Sequence, residues 1–160
     1  MILDFSSAGV LKQDMVDYIK GIIKDFPGKL EGKVKCPWTA KFFTVDENSK
    51  ALSDKEHTIF HTCVMKCMFL CKRARQDIQP GISFLSTRTI KLNEGDWTEL
   101  IRLLYFFKET QNDISELEAD DSQTIQWHVD ASFAVHNDFK SHTGITMTLG
   151  KGTITFVYTK

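Results

Sequence analysis

The sequence has almost no net charge, no disulfide framework and no apolar run of membrane-spanning length, and each absence removes a class of protein. Lysine and arginine (20) nearly balance aspartate and glutamate (21), a formal net charge of −1, so nothing in the overall composition attracts nucleic acid. Any such binding has to come from a local patch. The opening Met1-Ile-Leu-Asp-Phe lacks the basic region and long apolar core of a secretory signal. Elsewhere Lys or Arg interrupts every apolar run before it reaches the length of a membrane span. These features predict a soluble intracellular chain, cytoplasmic or nuclear, with no membrane partner. Four cysteines are present, but Cys36 stands alone and Cys63, Cys67 and Cys71 recur every fourth residue. Helical neighbours at that spacing do not bridge without distortion, so reduced thiols are expected. Internal repeats and low-complexity segments are also missing.

What is present is enough to build a core: 160 residues, 42% of them apolar. The centre of organisation is Phe60 to Arg88, which holds the longest apolar-periodic run beside the densest basic cluster. Phe60, Cys63, Val64, Cys67, Met68 and Cys71 recur at helical steps on one face, with Lys66, Lys72 and Arg73 largely elsewhere. Ser53 and Glu56 have the spacing of a capping box for this helix. A break is expected near Arg75 and Gln76, followed by a second helix with Asp77 as its cap and Pro80 in its first turn. Upstream, Ile2 to Ser6 reads as a short strand and Ala8-Gly9 as its turn. Gln13-Asp14 then introduces a helix through Phe26, whose apolar stripe is Met15, Val16, Ile19, Ile22, Ile23 and Phe26. Pro27-Gly28 stops it. From Lys29 to Ala51 no period holds, and Cys36-Pro37-Trp38 with Phe42-Phe43 are the expected anchors of this long connection.

Asp96-Trp97 opens a further helix with a broad stripe of Trp97, Leu100, Ile101, Leu104 and Phe107, widened by Leu103 and Phe106. Beyond Thr110 the period becomes alternating: Ile125, Trp127 and Val129, then Ile145, Met147 and Leu149, then Ile154, Phe156 and Tyr158. His136 to Ser141 and Gly150-Lys151-Gly152 supply the turns of a three-stranded antiparallel meander. The expected fold is therefore α+β, a helical segment followed by that meander. Charge changes sign along the chain. Lys66, Lys72, Arg73, Arg75, Arg88 and Lys91 give way to Asp113, Glu116, Glu118, Asp120 and Asp121, which suggests a module boundary.

Three separated blocks carry a family resemblance: FLCKRARQDI at 69–78, WTELIRLLYFFKET at 97–110 and WHVDASFAVHNDFKSHTG at 127–144. In order, spacing and wording they resemble the Pol polyprotein of copia-type retrotransposons, where reverse transcriptase joins ribonuclease H. The resemblance implies a thumb- and connection-like helical region over 1–112 and the first three strands of a ribonuclease H-like domain, incomplete, over 113–160. It implies that Asp130 is the first-strand carboxylate of a ribonuclease H centre, catalytic and a ligand of Mg2+. The remaining family acids belong to a Glu-bearing helix beyond the third strand and to a palm upstream of the Leu-Asp-Phe-like strand. Asp4 does not replace the palm acids. One carboxylate cannot assemble a two-metal site, so this chain alone is expected to be inactive and to bind no metal productively. The parent activity is RNA-directed DNA synthesis with hydrolysis of RNA in an RNA:DNA hybrid. Its partners are template-primer and the remaining polymerase and ribonuclease H segments. Where the family usually has proline, glycine and a Ser-rich run, this chain has Gln76, Glu109 and Phe156-Val157-Tyr158.

Lys72, Arg73, Arg75 and Arg88 are the candidate contacts to nucleic-acid phosphates. Cations in a last helical turn also offset the macrodipole, which is the competing use for them. Used without polymerisation, they would make the chain a self-standing helical nucleic-acid-binding or interaction module. Cys63, Cys67 and Cys71 suit a buried apolar face better than a soft-metal site, since cysteine packs as a small hydrophobe. The histidines, His57, His61, His128, His136 and His142, show no convincing ligand spacing.

Overall fold

The structure, a computed structural model, describes residues 1–39, 42–120, 122–134 and 139–159. Asp121 of the acidic run and His136 of the expected turn lie outside the described residues. In chain order the elements are β1 (Ile2–Asp4), β2 (Val10–Asp14), α1 (Val16–Asp25), α2 (Asp54–Cys71), a 3-10 turn (Gln76–Ile78) and α3 (Gln79–Arg88). There follow α4 (Glu94–Glu109), β3 (Ser115–Ala119), β4 (Gln126–Ser132), β5 (His142–Thr148), β6 (Gly150–Lys151) and β7 (Thr153–Thr159). The expected α+β class is what is found: helices beside two antiparallel sheets, one ordered β1-β2-β3-β6 and the other the three-stranded β4-β5-β7. No helix among the described residues is long and apolar enough to cross a membrane.

The helices form where spacing and caps direct them. Ser53 and Glu56 close the expected capping box on α2, whose buried face is Phe60, Cys63, Val64, Cys67, Leu70 and Cys71. Met68, expected on that face, is only partly buried against the core. In α1, Ile19 and Ile22 are buried with Met15 and Phe26 at its two ends. Helix α4 begins at Glu94, ahead of the expected Asp96-Trp97 opening. Asn93 accepts from the Asp96 amide at 3.0 Å while the Asp96 carboxylate accepts from the Asn93 amide at 3.0 Å. That second capping box fixes the earlier start. Asp77 does not cap α3: the N-cap is Ile78 with no side-chain bond, Pro80 falls in the first turn as expected, and the Asp77 carboxylate is taken by Arg75.

Helix faces meet in one apolar cluster that includes Phe60, Leu70, Ile82, Leu85, Leu100, Leu103, Leu104 and Phe107. The irregular connection 29–51 is anchored on it by the expected aromatics. Phe42 is buried, with its ring centroid 4.5 Å from Trp38 and 5.1 Å from Phe84. The Trp38 ring lies on Gly81, where an added Cβ would come within 2.1 Å of it. Only glycine leaves room at that point of α3.

The first sheet was not legible as a unit. Val10–Asp14, of which Gln13-Asp14 was expected to introduce the helix, is a strand pairing with β1 on one side and β3 on the other. The acidic run expected to mark a boundary supplies β3, with Glu116 between Lys12 at 3.6 Å and Lys151. Alternate charges on facing strands stabilise the pairing that like charges would oppose. This ladder crosses the expected 112/113 division. Gly150-Lys151-Gly152 turns the chain as expected, and Gly150-Lys151 also adds β6 to the edge of β3. Gly150 (φ 126°) and Gly152 (φ 84°) approach the β3 backbone so closely that an added Cβ would lie 2.5 Å and 2.2 Å from main-chain atoms.

In the second sheet, β4 pairs with β5 without interruption from Gln126↔Thr148 to Ser132↔His142. Strand β7 pairs with β5 through a register shift at Met147/Thr148. The apolar alternation of the third strand is therefore offset from the other two. Phe156 is opposite Thr146 and Val157 opposite Ile145, so Phe156 and Tyr158 share a face with His128 and Asp130. Trp127, Val129, Ile145, Met147 and Val157 share the other.

Candidate functional site

The sheet face that carries Asp130 looks onto the start of α3. Between them is a cleft of about 270 Å³, lined by Gln76, Gln79 and Pro80 on the helical side and by His128, Asp130, Phe156 and Tyr158 on the sheet side. Period 2 sets this geometry: His128 and Asp130 are two residues apart on β4, and pairing places Gly144 between Asp130 and Tyr158. A Cβ at Gly144 would touch the Tyr158 ring at 3.4 Å. Desolvation pushes the Tyr158 phenol above its usual range, and the Asp130 carboxylate adds to the shift. On the helical wall Gln79 is already committed. Its Oε1 accepts from the Cys71 thiol at 2.8 Å and its Nε2 donates to Ser83 Oγ at 3.3 Å.

The four candidate cations separate into two pairs. Lys72 is exposed, its Nζ 4.7 Å from the centroid of Phe156, which lines the cleft. Arg73 stacks on Phe69 at 3.5 Å and donates to the Phe69 carbonyl, which leaves its outer side half exposed. Arg75 does not fit the phosphate role. Its side chain is only 5% exposed, and it donates to Asp77 at 2.8–3.3 Å and to the carbonyl and hydroxyl of Thr110 at 3.2 and 3.0 Å. Planar guanidinium donors suit such a convergent set, and here they tie the α2–α3 junction to the end of α4. Arg88 is likewise turned inward, to Asp96 at 3.0 and 3.2 Å and to the Lys91 carbonyl at 2.8 Å. It braces the α4 capping box.

The magnesium expectation can be tested on the donor set. Asp130 is the only carboxylate among the described residues that line the cleft, and no group of three or more His, Cys, Asp or Glu among the described residues could hold a metal ion. Two divalent cations need several anionic ligands. These residues do not fit that centre, and no step of a two-metal reaction can be derived from them. Cys63, Cys67 and Cys71 are buried in the helical core, as the apolar alternative required. Contact with Cys63 and complete burial push the Cys67 thiol well up, and burial pushes Cys71 up to about 12. Neither is a ready thiolate for soft metals or redox chemistry.

Sequence reasoning singled out Asp130 and Lys72 but not the residues that surround them. His128 was readable, because it stands two residues before Asp130 on a period-2 strand. Tyr158, Phe156, Gln76 and Gln79 were not, because their place depends on the shifted β7 register and on how α3 docks. Comparisons of the chain with models of protein families, with curated proteins and with solved structures each return no match.

Proposed function

We propose that the chain is a segment of a copia-type Pol polyprotein. Residues 1–112 would be the closing part of reverse transcriptase with its helical thumb and connection, and 113–160 the opening strands of ribonuclease H. One observation carries the reading. Beyond the helices and β3, strands β4, β5 and β7 form an antiparallel sheet in sequence order, with Asp130 within β4 and its carboxylate on the face turned toward the helices. The three sequence blocks that resemble the family supply the end of α2 with the following turn, most of α4, and most of β4 with the first residues of β5.

On this reading the parent protein carries out RNA-directed DNA synthesis and hydrolyses RNA in an RNA:DNA hybrid. Asp130 is one acid of a magnesium-dependent centre whose other acids come from outside these residues. The chain by itself is expected to catalyse neither reaction, since one carboxylate cannot neutralise two cations. Of the four candidate cations, Lys72 and Arg73 are the two that would meet phosphates of a template-primer, while the guanidinium groups of Arg75 and Arg88 are taken by Asp77 and Asp96.

Translation of the genomic frame on both sides is the decisive test. A Tyr-X-Asp-Asp turn upstream and a Glu-bearing helix downstream, intact or disrupted, are expected; absence of both overturns the proposal. Purified polypeptide that cuts a labelled hybrid or extends a primer, with contaminating enzymes excluded, would overturn the expectation of inactivity. The alternative, a self-standing nucleic-acid-binding module, predicts duplex binding with a salt slope that Arg73→Ala reduces. With Arg75 and Arg88 already paired, it has fewer cations to work with.

A further inference from the structure

We infer that the cavity between α1 and α2 binds a small apolar α-amino acid, its side chain inside the cavity, its ammonium on Asp25 and its carboxylate on Lys66 and Thr62. The proposal does not depend on the polyprotein reading.

The last turns of α1 and the first half of α2 leave about 150 Å³ between them. Every lining residue belongs to these two helices or, for Phe26, caps the first. The floor is apolar: Ile22, Phe26 and Cys63 are buried, and Ile59 packs partly buried against the same core. A dry cavity of this size takes a ring or branched chain about as large as benzene. The side chain it suits is therefore larger than that of alanine and smaller than an indole.

The charges at the mouth say what the side chain is attached to. Asp25 is the last residue of α1, where the helix carbonyls already carry partial negative charge. Lys24 offsets this from the same turn but does not line the cavity. Lys66 reaches across from α2, its Nζ 2.6 Å from Asp25 Oδ2, and holds the Asp25 carboxyl below its ordinary range. Both side chains are partly in water, and a pair in that setting opens at little cost. Opened, it presents a carboxylate beside a helix C-terminus on one side and an ammonium on the other. Thr62 stands one turn before Lys66 on the same face of α2, and its hydroxyl has no hydrogen-bond partner among the described residues. The Thr58 hydroxyl, by contrast, donates to the Asp54 carbonyl at 3.0 Å. Thr62 and Lys66 together suit a carboxylate, and Asp25 with the end of α1 suits an ammonium. A simple cation or a simple anion would leave one partner of the opened pair bare. A zwitterion with an apolar side chain satisfies both and fills the volume.

Methyl NMR of the 160-residue chain titrated with L-leucine tests this. The methyl groups of Ile22 and Ile59 should shift and saturate, with a dissociation constant on the order of 1 mM for so small a ligand, while Ile82 in the core should not move. Isoamylamine, which lacks the carboxylate, and isocaproate, which lacks the ammonium, should each bind about tenfold more weakly. Glycine, without the side chain, should not bind. Asp25→Asn should weaken leucine about tenfold and leave isocaproate no weaker; Lys66→Met should weaken leucine about as much and leave isoamylamine no weaker. Both positions are partly in water, so neither substitution threatens the fold. The proposal is overturned by the absence of a saturable shift at about 10 mM leucine, or by equal affinity for leucine, isoamylamine and isocaproate. Leucine binding that neither substitution weakens overturns it as well.

Discussion

The helical region and the β4-β5-β7 sheet are held together by different physics. From α1 to α4 the side chains meet in one closed apolar cluster, where Phe60, Leu70, Leu85, Leu103 and Phe107 are fully buried. The sheet contributes Phe156, partly buried, to that cluster, and its far face leaves Trp127, Val129 and Val157 in solvent. Its order comes from main-chain ladders and from a few contacts of one face: Phe156 under Lys72, and His142 between Phe43 and Tyr158 at 4.8 and 4.7 Å. A closed core specifies its geometry by volume, whereas a sheet with an open face specifies it by register. Substitutions of the same kind should therefore differ in cost between the two regions.

The largest contrast is expected from truncating apolar side chains. Phe60→Ala or Leu103→Ala should lose about 3–5 kcal/mol by urea unfolding, transfer and cavity terms together. Trp127→Ala should change stability by less than about 1 kcal/mol, because the removed surface is already wet. Equal costs would mean that the open face is covered in solution, and the comparison would fail. Next come the arginines. Arg75→Ala should cost about 2 kcal/mol, since Asp77 and Thr110 lose convergent donors, and lysine should not rescue it. Arg73→Ala should stay within about 0.5 kcal/mol. A reversed order would return Arg75 to the list of free phosphate contacts.

Gly81→Ala is a smaller test with a sign. Helix propensity alone favours alanine by about 1 kcal/mol. The Trp38 ring 2.1 Å from the new Cβ should reverse this, giving a net loss of about 1–2 kcal/mol and a shift in tryptophan fluorescence. The smallest effect in neutral solution is chemical. A thiol reagent should label Cys36 and leave Cys67 and Cys71 unmodified until the chain unfolds. The Cys71 thiol goes from an ordinary 9.0 to about 12 on folding, so the folded state holds its proton longer. The stability linked to it is complete below pH 9.0 and is lost progressively as pH rises toward about 12. Flat stability across that alkaline window would remove the linkage.

Legibility follows the same division. The start of helix α2 could be read to the residue, because Ser53 and Glu56 cap it and its apolar positions recur at helical spacing, but it ends at Cys71, ahead of the expected break near Arg75 and Gln76. The three strands of the meander were readable from alternation, and Asp130 from its place in the first. Strand β2 was missed because Val10-Leu-Lys-Gln-Asp is short, runs directly into α1, and is held by a strand about a hundred residues away. β3 was missed for the opposite reason. Its acidic composition looked like a module boundary, whereas Lys12 and Lys151 face it across a sheet. Arg75 was mistaken for a free cation because sequence shows charge but not the partners that satisfy it.

By itself, then, the sequence determined the local periods, the Ser53–Glu56 cap, the burial of the three clustered cysteines and the presence of an acid in the middle of a strand, since these depend on neighbours three or four residues away at most. Only the tertiary structure decided that Arg75 and Arg88 are structural, that β7 is offset so that Tyr158 stands beside Asp130, and that β1 and β2 share a sheet with β3 and β6 from the far part of the chain. Each of these depends on contacts between segments distant in sequence. The pattern of one segment does not encode the register or satisfaction of another until both are packed.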